Sequence, residues 1–211
     1  MARPVLLMNP NSSEATTRAM VAIAARVLPE VEGWTAPAGP PLLTDPAVLA
    51  QAGDLVAAAE VPQGIAAVIV SAFGDPGQAA LAARLAVPVV GIGGAAARAA
   101  ARGGRRFAVV THTPALVESI DALMRQAAPG EGWLGTFLAE GDPAVLGADP
   151  PRLDAALLAA IHHATAAGAE VVIIGGGPLG EAAERLRHLS PCPLVSPIYE
   201  AAQEVLAKLC R

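Results

Sequence analysis

His112 is the side chain of this sequence best suited to moving a proton, because it follows the β-branched run of "RRFAVVTHT" directly and an imidazole titrates near neutral pH. Ser71 ends a similar run in "AAVIVSAFGDPG", and Tyr199 is the only tyrosine, at the head of the last Ala-rich segment. Either hydroxyl can donate to a substrate oxygen. Asn9, Asn11, Ser12 and Ser13 crowd into "MNPNSS" ahead of a helix-like stretch. Amides and hydroxyls beside a helix N-terminus suit a carboxylate or similar anion, although Ser12 and Ser13 serve equally well as N-caps.

Glycine supplies a second signal. "VVIIGGGPLG" (171–180) fits G-x-G-x-x-G after an apolar run, and "GIGGAA" (91–96) nearly does. A dinucleotide turn needs more: an acid for the ribose after the next strand, where the second match offers Thr111-His112-Thr113, and free backbone donors, one of which Pro178 removes from the first match. Four turns instead share small residues and unspent backbone N–H groups before a helix. They are Asn9–Ser13, Ser71–Asp75, Thr111–Thr113 and Gly175–Gly177, and together they would line one anion-binding cleft.

Other titratable groups read as structural. Asp75 before Pro-Gly suits a turn and helix start, and Glu181 favours a helix dipole. His162 and His163 are adjacent, so they face different ways on a helix, and Cys192 and Cys210 have no metal-ligand spacing. No metal site is expected.

Short β-branched runs alternate with Ala-rich helical lengths, the pattern of βα units and a parallel sheet. Strands are expected at 4–8, 33–38, 67–71, 87–92, 106–111, 133–138, 170–174 and 194–197, and helices at 14–27, 46–59, 77–85, 95–102, 114–126, 151–167, 180–188 and 199–208. Segments 66–77 and 169–180 echo one another, as do "RPVLLMNPN" and "RRFAVVTHTP". The expected architecture is α/β, two pseudo-symmetric Rossmann-like lobes with mainly parallel four-stranded sheets and an interlobe cleft. The first lobe takes residues 1–93, completed by a helix over 198–211, and the second takes 94–197.

With 211 residues, 54% hydrophobic and 16% charged, the chain can bury a substantial core. Its net charge of −5 and lack of basic runs exclude a nucleic-acid or anionic-membrane footprint. Mean hydropathy is +0.49, yet no apolar run approaches the ~18 residues of a membrane span. The opening apolar run is too short for a signal peptide core, so a cytoplasmic location is expected.

The motifs together resemble a known family. "MNPNSS" resembles the "NPN(T/S)S" opening of hydantoin and allantoin racemases, and "VIVSAFGDPG" their "ACFGDPG" segment. "PVVGIGGAA…GGRRFAVVTHT" resembles "PVVGI-EAA…G-RFSVVTT", and "AGAEVVIIGGGPLGEAAERL" resembles "DGAEAIVLGCAGMADLAERL". The chain is identified on these motifs as a member of the aspartate/glutamate/hydantoin racemase superfamily. The resemblance implies a small carboxylate or hydantoin-like ligand, no cofactor, and two cysteines on opposite faces of an acidic carbon, one removing the proton and one returning it. A homo-oligomer is expected.

Both cysteine positions differ here. The alignment places Ala72 at the first and Gly176 at the second, and neither can carry a proton. His112, Ser71 and Tyr199 become the catalytic candidates, and Asn9, Asn11, Ser12, Phe73, Gly74, Thr111, Gly176 and Gly177 the substrate-binding ones. The expectations are an enzyme with non-cysteine acid–base chemistry (isomerase, decarboxylase, lyase or hydrolase) or a non-catalytic ligand-binding protein derived from a racemase.

Overall fold

The computed structural model describes residues 3–210. Its first sheet holds β1 (Val5–Asn9), β2 (Val31–Thr35), β3 (Ala67–Val70) and β4 (Val89–Gly91). The second holds β5 (Phe107–Thr111), β6 (Trp133–Leu138), β7 (Val171–Ile174) and β8 (Leu194–Val195). All recorded pairings are parallel. The orders are β2-β1-β3-β4 and β6-β5-β7-β8, so each half of the chain repeats one topology.

Why these runs are strands follows from their burial. β1, β3, β5 and β7 are buried at every position, as expected of parallel strands covered by helices on both faces, which read as continuous apolar runs. The edge strands β2 and β6 are only partly covered. The connecting helices are α1 (Glu14–Ala24), α2 (Pro46–Ala58), α3 (Gln78–Arg84), α4 (Ile92–Ala100), α5 (Val117–Ala127), α6 (Pro143–Ala148), α7 (Pro150–Ala166), α8 (Gly180–Leu186) and α9 (Pro197–Leu209). Local chemistry starts several of them. Ser13 accepts from the Thr16 N–H to cap α1, and Asp45 accepts from Ala47 and Val48 ahead of Pro46 to cap α2.

The chain crosses from one side of β1 to the other between β2 and β3, and does the same around β5 between β6 and β7. In open parallel sheets, ligands bind at such reversals, beyond the carboxyl ends of the two strands involved. Those ends carry Asn9 and Ser71 in the first sheet, and Thr111 and Gly175 in the second. The four turns marked by composition are therefore the four that topology selects.

Two helices tie the halves together. α9 returns to the first core, where Ile198, Ala201, Ala202 and Val205 join Val5, Leu7 and Met20. α4 divides its faces: Ile92 and Ala95 pack in that core, while Ala96, Ala97 and Ala100 pack with Phe107, Ile120 and Met124 of the second. The expected boundary between residues 93 and 94 thus falls within the first turn of a shared helix.

Three local expectations are corrected. The strand expected to run to Ile92 stops at Gly91, and its helix starts at Ile92 rather than Ala95. Gly93 and Gly94 are unpromising helix formers, but Asp75 accepts a hydrogen bond from each of their N–H groups and so caps α4. The expected strand at 33–38 begins two residues earlier and ends at Thr35. The short α6, not expected, is nucleated by Asp142 accepting from Ala144 and Val145 beside Pro143.

Candidate active site

The four turns enclose a cavity of about 40 Å3, lined from the first half by Asn11, Leu42, Leu43, Ser71, Ala72 and Phe73. The second half contributes His112, Thr113, Leu116, Ile120, Gly175, Gly176, Gly177 and Pro178. Ala72 and Gly176, the two positions without the expected cysteines, both line it.

Hydrogen bonding sorts the polar residues by whether they are free to act. The Asn9 side chain is fully buried and spent: Nδ2 donates to Asn11 Oδ1 (2.8 Å), Thr17 Oγ1 (3.0 Å) and the Ser13 carbonyl (3.1 Å). Asn11 Oδ1 also accepts from the Ser13 N–H at 2.9 Å, whereas Asn11 Nδ2 has no partner among the described residues. Asn9 thus builds the turn and Asn11 offers a donor at the cavity. Ser12 is exposed and does not line the cavity, its N–H reaching the Pro40 carbonyl instead.

Ser71 and Thr111 play matching parts. Ser71 Oγ donates to the Met8 carbonyl at 2.7 Å, tying β3 to β1, and Thr111 Oγ1 donates to the Gly175 carbonyl at 2.7 Å, tying β5 to β7. Each buried hydroxyl has its proton held by a main-chain oxygen. Thr113, marked in the sequence only as part of the Thr111–Thr113 turn, faces the cavity and shares a 3.1 Å hydrogen bond with Thr111.

His112 differs from all of these. It is 3% exposed, and its Nδ1 is buried without a partner. Burial pushes its pKa below the usual histidine value, so the ring is neutral near pH 7 and has a lone pair to accept a proton. Among the described residues lining the cavity it is the one that carries an ionisable side chain.

Backbone donors complete the site. The N–H groups of Ala72, Phe73, Gly176 and Gly177 have no protein acceptor among the described residues, and all four residues line the cavity. Two come from each half, so a ligand oxygen can be met from both sides.

The glycines have a steric explanation. A Cβ on Gly175 would lie 2.6 Å from Val109 Cγ1 and 3.1 Å from Phe73 Cε1, and one on Gly177 2.9 Å from both Met20 Sδ and the Ser71 carbonyl oxygen. On Gly180 it would lie 2.7 Å from Ile23 Cδ1. The "GGGPLG" segment is bare so that the second half can seat against α1 and the β3 turn of the first. "GIGGAA" receives an internal carboxylate: a Cβ on Gly91 would fall on Asp75 Cγ.

Several candidates stand elsewhere. Tyr199 does not line the cavity; its hydroxyl accepts from Gln203 Nε2 at 2.9 Å on α9. Gly74, with φ +121°, shapes the turn and opens onto an outer pocket rather than the inner cavity. Cys192 is held beside Ser190 with its thiol pKa pushed up by burial, and Cys210 is exposed; neither lines the cavity. No group of three or more His, Cys, Asp or Glu among the described residues is arranged for a metal ion.

Comparison with known proteins agrees with this fold. The sequence profile described as Asp/Glu/Hydantoin racemase matches residues 5–205. The chain belongs to this family. A hydantoin racemase of Rhizobium meliloti is 29% identical over 148 residues, spanning 70% of this chain but 61% of that protein. Allantoin racemase from Klebsiella pneumoniae superposes with a TM-score of 0.86 at 25% identity, over 98% of this chain and 87% of that one. Allantoin racemase from Pseudomonas fluorescens gives the same TM-score and identity over 98% and 91%. The fold of this Asp/Glu/hydantoin racemase family member is thus that of the allantoin racemases.

Leu42, Leu43, Leu116 and Ile120 also line the cavity, although no chemistry in the sequence points to them. The "PPLL" segment, apolar in a stretch that should be polar if it were a plain surface loop, is the signal that marks the first two.

Proposed function

We propose that this chain is a cofactor-independent enzyme acting on a small carboxylate or hydantoin-like molecule, with His112 in place of the cysteine pair. The observation that carries it is the buried imidazole, with Nδ1 unpartnered, at the cavity shared by Ala72 and Gly176. A neutral imidazole removes a proton from carbon next to a carbonyl, or, once protonated, delivers one to it. Charge sits on the carbonyl oxygen while the carbon lacks its proton, and the N–H groups of Ala72, Phe73, Gly176 and Gly177 offset it. With one proton carrier the chemistry is one-sided. That favours isomerisation, decarboxylation with protonation, or lyase or hydrolytic chemistry over racemisation, which needs a base on each face.

The second reading is a ligand-binding protein without turnover. The occupied hydroxyls of Ser71 and Thr111 favour it, since they leave His112 without a side-chain partner to orient it.

Turnover and α-carbon deuterium incorporation in heavy water, followed by NMR with hydantoins, amino acids and substituted malonates, separate the readings. The enzyme reading expects product or exchange in the wild type, a loss of about 100-fold or more in His112→Ala, and ligand binding that persists. Unchanged turnover in that variant removes His112 from the mechanism. Binding without turnover or exchange on any compound establishes the second reading.

A further inference from the structure

Asp75 is the one described non-glycine residue with positive φ, at +51°, a conformation that costs about 1 kcal/mol or more and persists only when its surroundings enforce it. Here the enforcement is visible. Oδ1 accepts from the Gly93 N–H and Oδ2 from the Gly94 N–H, each at 2.7 Å, and the carboxylate fills the space that a side chain on Gly91 would need. Asp75 does not cap its own helix: α3 begins after Gly77 with no side-chain cap. Its carboxylate reaches across to α4, the helix shared by both cores. Three residues earlier the same turn carries Ala72, then Phe73, both on the cavity wall.

We infer that Asp75 is a positioning residue: its carboxylate pins the cavity-lining turn Ala72–Phe73 to the first turn of α4, so that the two respond together when it titrates. The inference rests on the cavity being the functional site. Two N–H donors converge on two carboxylate oxygens. A change of charge on the carboxyl therefore registers at both amides.

The groups facing Asp75 set where it titrates. Arg98 on α4 pulls the pKa down and Glu204 on α9 pushes it up, while Arg98 is itself held by Glu204 at 2.8 Å. Arg102 of α4 and Lys208 of α9 line the same outer pocket; α3 and α5 present Gln78 and Gln126 there, which do not titrate. Burial outweighs the two hydrogen bonds and Arg98, and the pKa rises to about 6.

The test is amide NMR and hydrogen exchange on the whole chain between pH 4.5 and 8, which needs no substrate. In the wild type the Gly93 and Gly94 amides should titrate with one midpoint, and the Ala72 and Phe73 amides should follow it. Asp75→Asn should abolish that shared titration and speed exchange at Gly93 and Gly94 at least tenfold at pH 8. Gly91→Ala changes no charge but displaces the carboxylate, and should reproduce the faster exchange. Should one variant fail to fold, the other still shows whether the turn moves with the carboxylate. Loss of the glycine protection with Ala72 and Phe73 unmoved would overturn the inference and leave Asp75 a helix cap alone. Absence of turnover in every protein would refute the enzyme reading while leaving this result intact.

Discussion

At the scale of single residues, the buried polar groups divide into those that fix the site and those left free. Thr111 fixes it, and Thr111→Val should cost about 1–2 kcal/mol by leaving the Gly175 carbonyl unpaired. Urea unfolding measures that loss, and a change within about ±0.3 kcal/mol would show the tie to be dispensable. Asp75 carries the clearest pH signature. Its folded pKa of about 6 lies above the ordinary 3.8, so its contribution to stability is present below pH ~4 and is lost as pH rises through ~6. The span is about 1–3 kcal/mol, allowing for the residue's partial exposure. His112, depressed by burial, works in the opposite sense, its contribution present above pH ~6.5 and lost as pH falls. Unfolding wild type and Asp75→Asn across pH 4 to 7 isolates the aspartate: the stability difference between them should shift against the wild type as pH rises, and a flat difference would contradict it.

At the scale of elements, glycine decides where the two halves meet. Gly177→Ala would press a methyl against the Ser71 carbonyl oxygen, a main-chain atom with little freedom, as well as Met20 Sδ. Gly180→Ala meets only the ends of Ile23 and Ile198, which can shift. The first should cost about 1–3 kcal/mol and the second less; equal thermal-unfolding midpoints for the two variants would refute this account of the segment. Such contacts explain what the sequence could and could not reveal. The strands were legible because double-sided burial writes itself as runs such as "VVII", and the four turns because small residues cluster there. Asp75 as the cap of α4 was not, since 18 residues separate it from Gly93 and the sequence shows Asp-Pro-Gly as a local turn. His112 was legible as a residue type; the placement of Tyr199 and Ser12 outside the cavity was not, because both depend on which way a helix or turn faces.

At the scale of the whole molecule, the small size of the cavity makes a demand on motion. About 40 Å3 holds a few waters, whereas ligand pockets run to ~300 Å3 and more. Part of the wall must yield for a ligand to enter. The second half offers little give, because Gly175 and Gly177 are locked against Phe73, Met20 and the β3 turn. The loop between β2 and α2 is the looser wall. Leu42 and Leu43 project from it, and Leu43 packs in a small cluster with Ala52 and Ala72, apart from the main cores. A wall held by so few contacts opens at lower free energy than the sheets do. Leu43→Ala should therefore lower stability by about 1–3 kcal/mol and speed ligand association several-fold, because less apolar contact must break before entry. Stopped-flow binding of a hydantoin or substituted malonate reads the rate directly. An unchanged association rate, with stability lowered as expected, would place the entrance elsewhere and point to parting of the two halves at α1 and α8, where Arg26 and Glu184 meet at 2.8 Å.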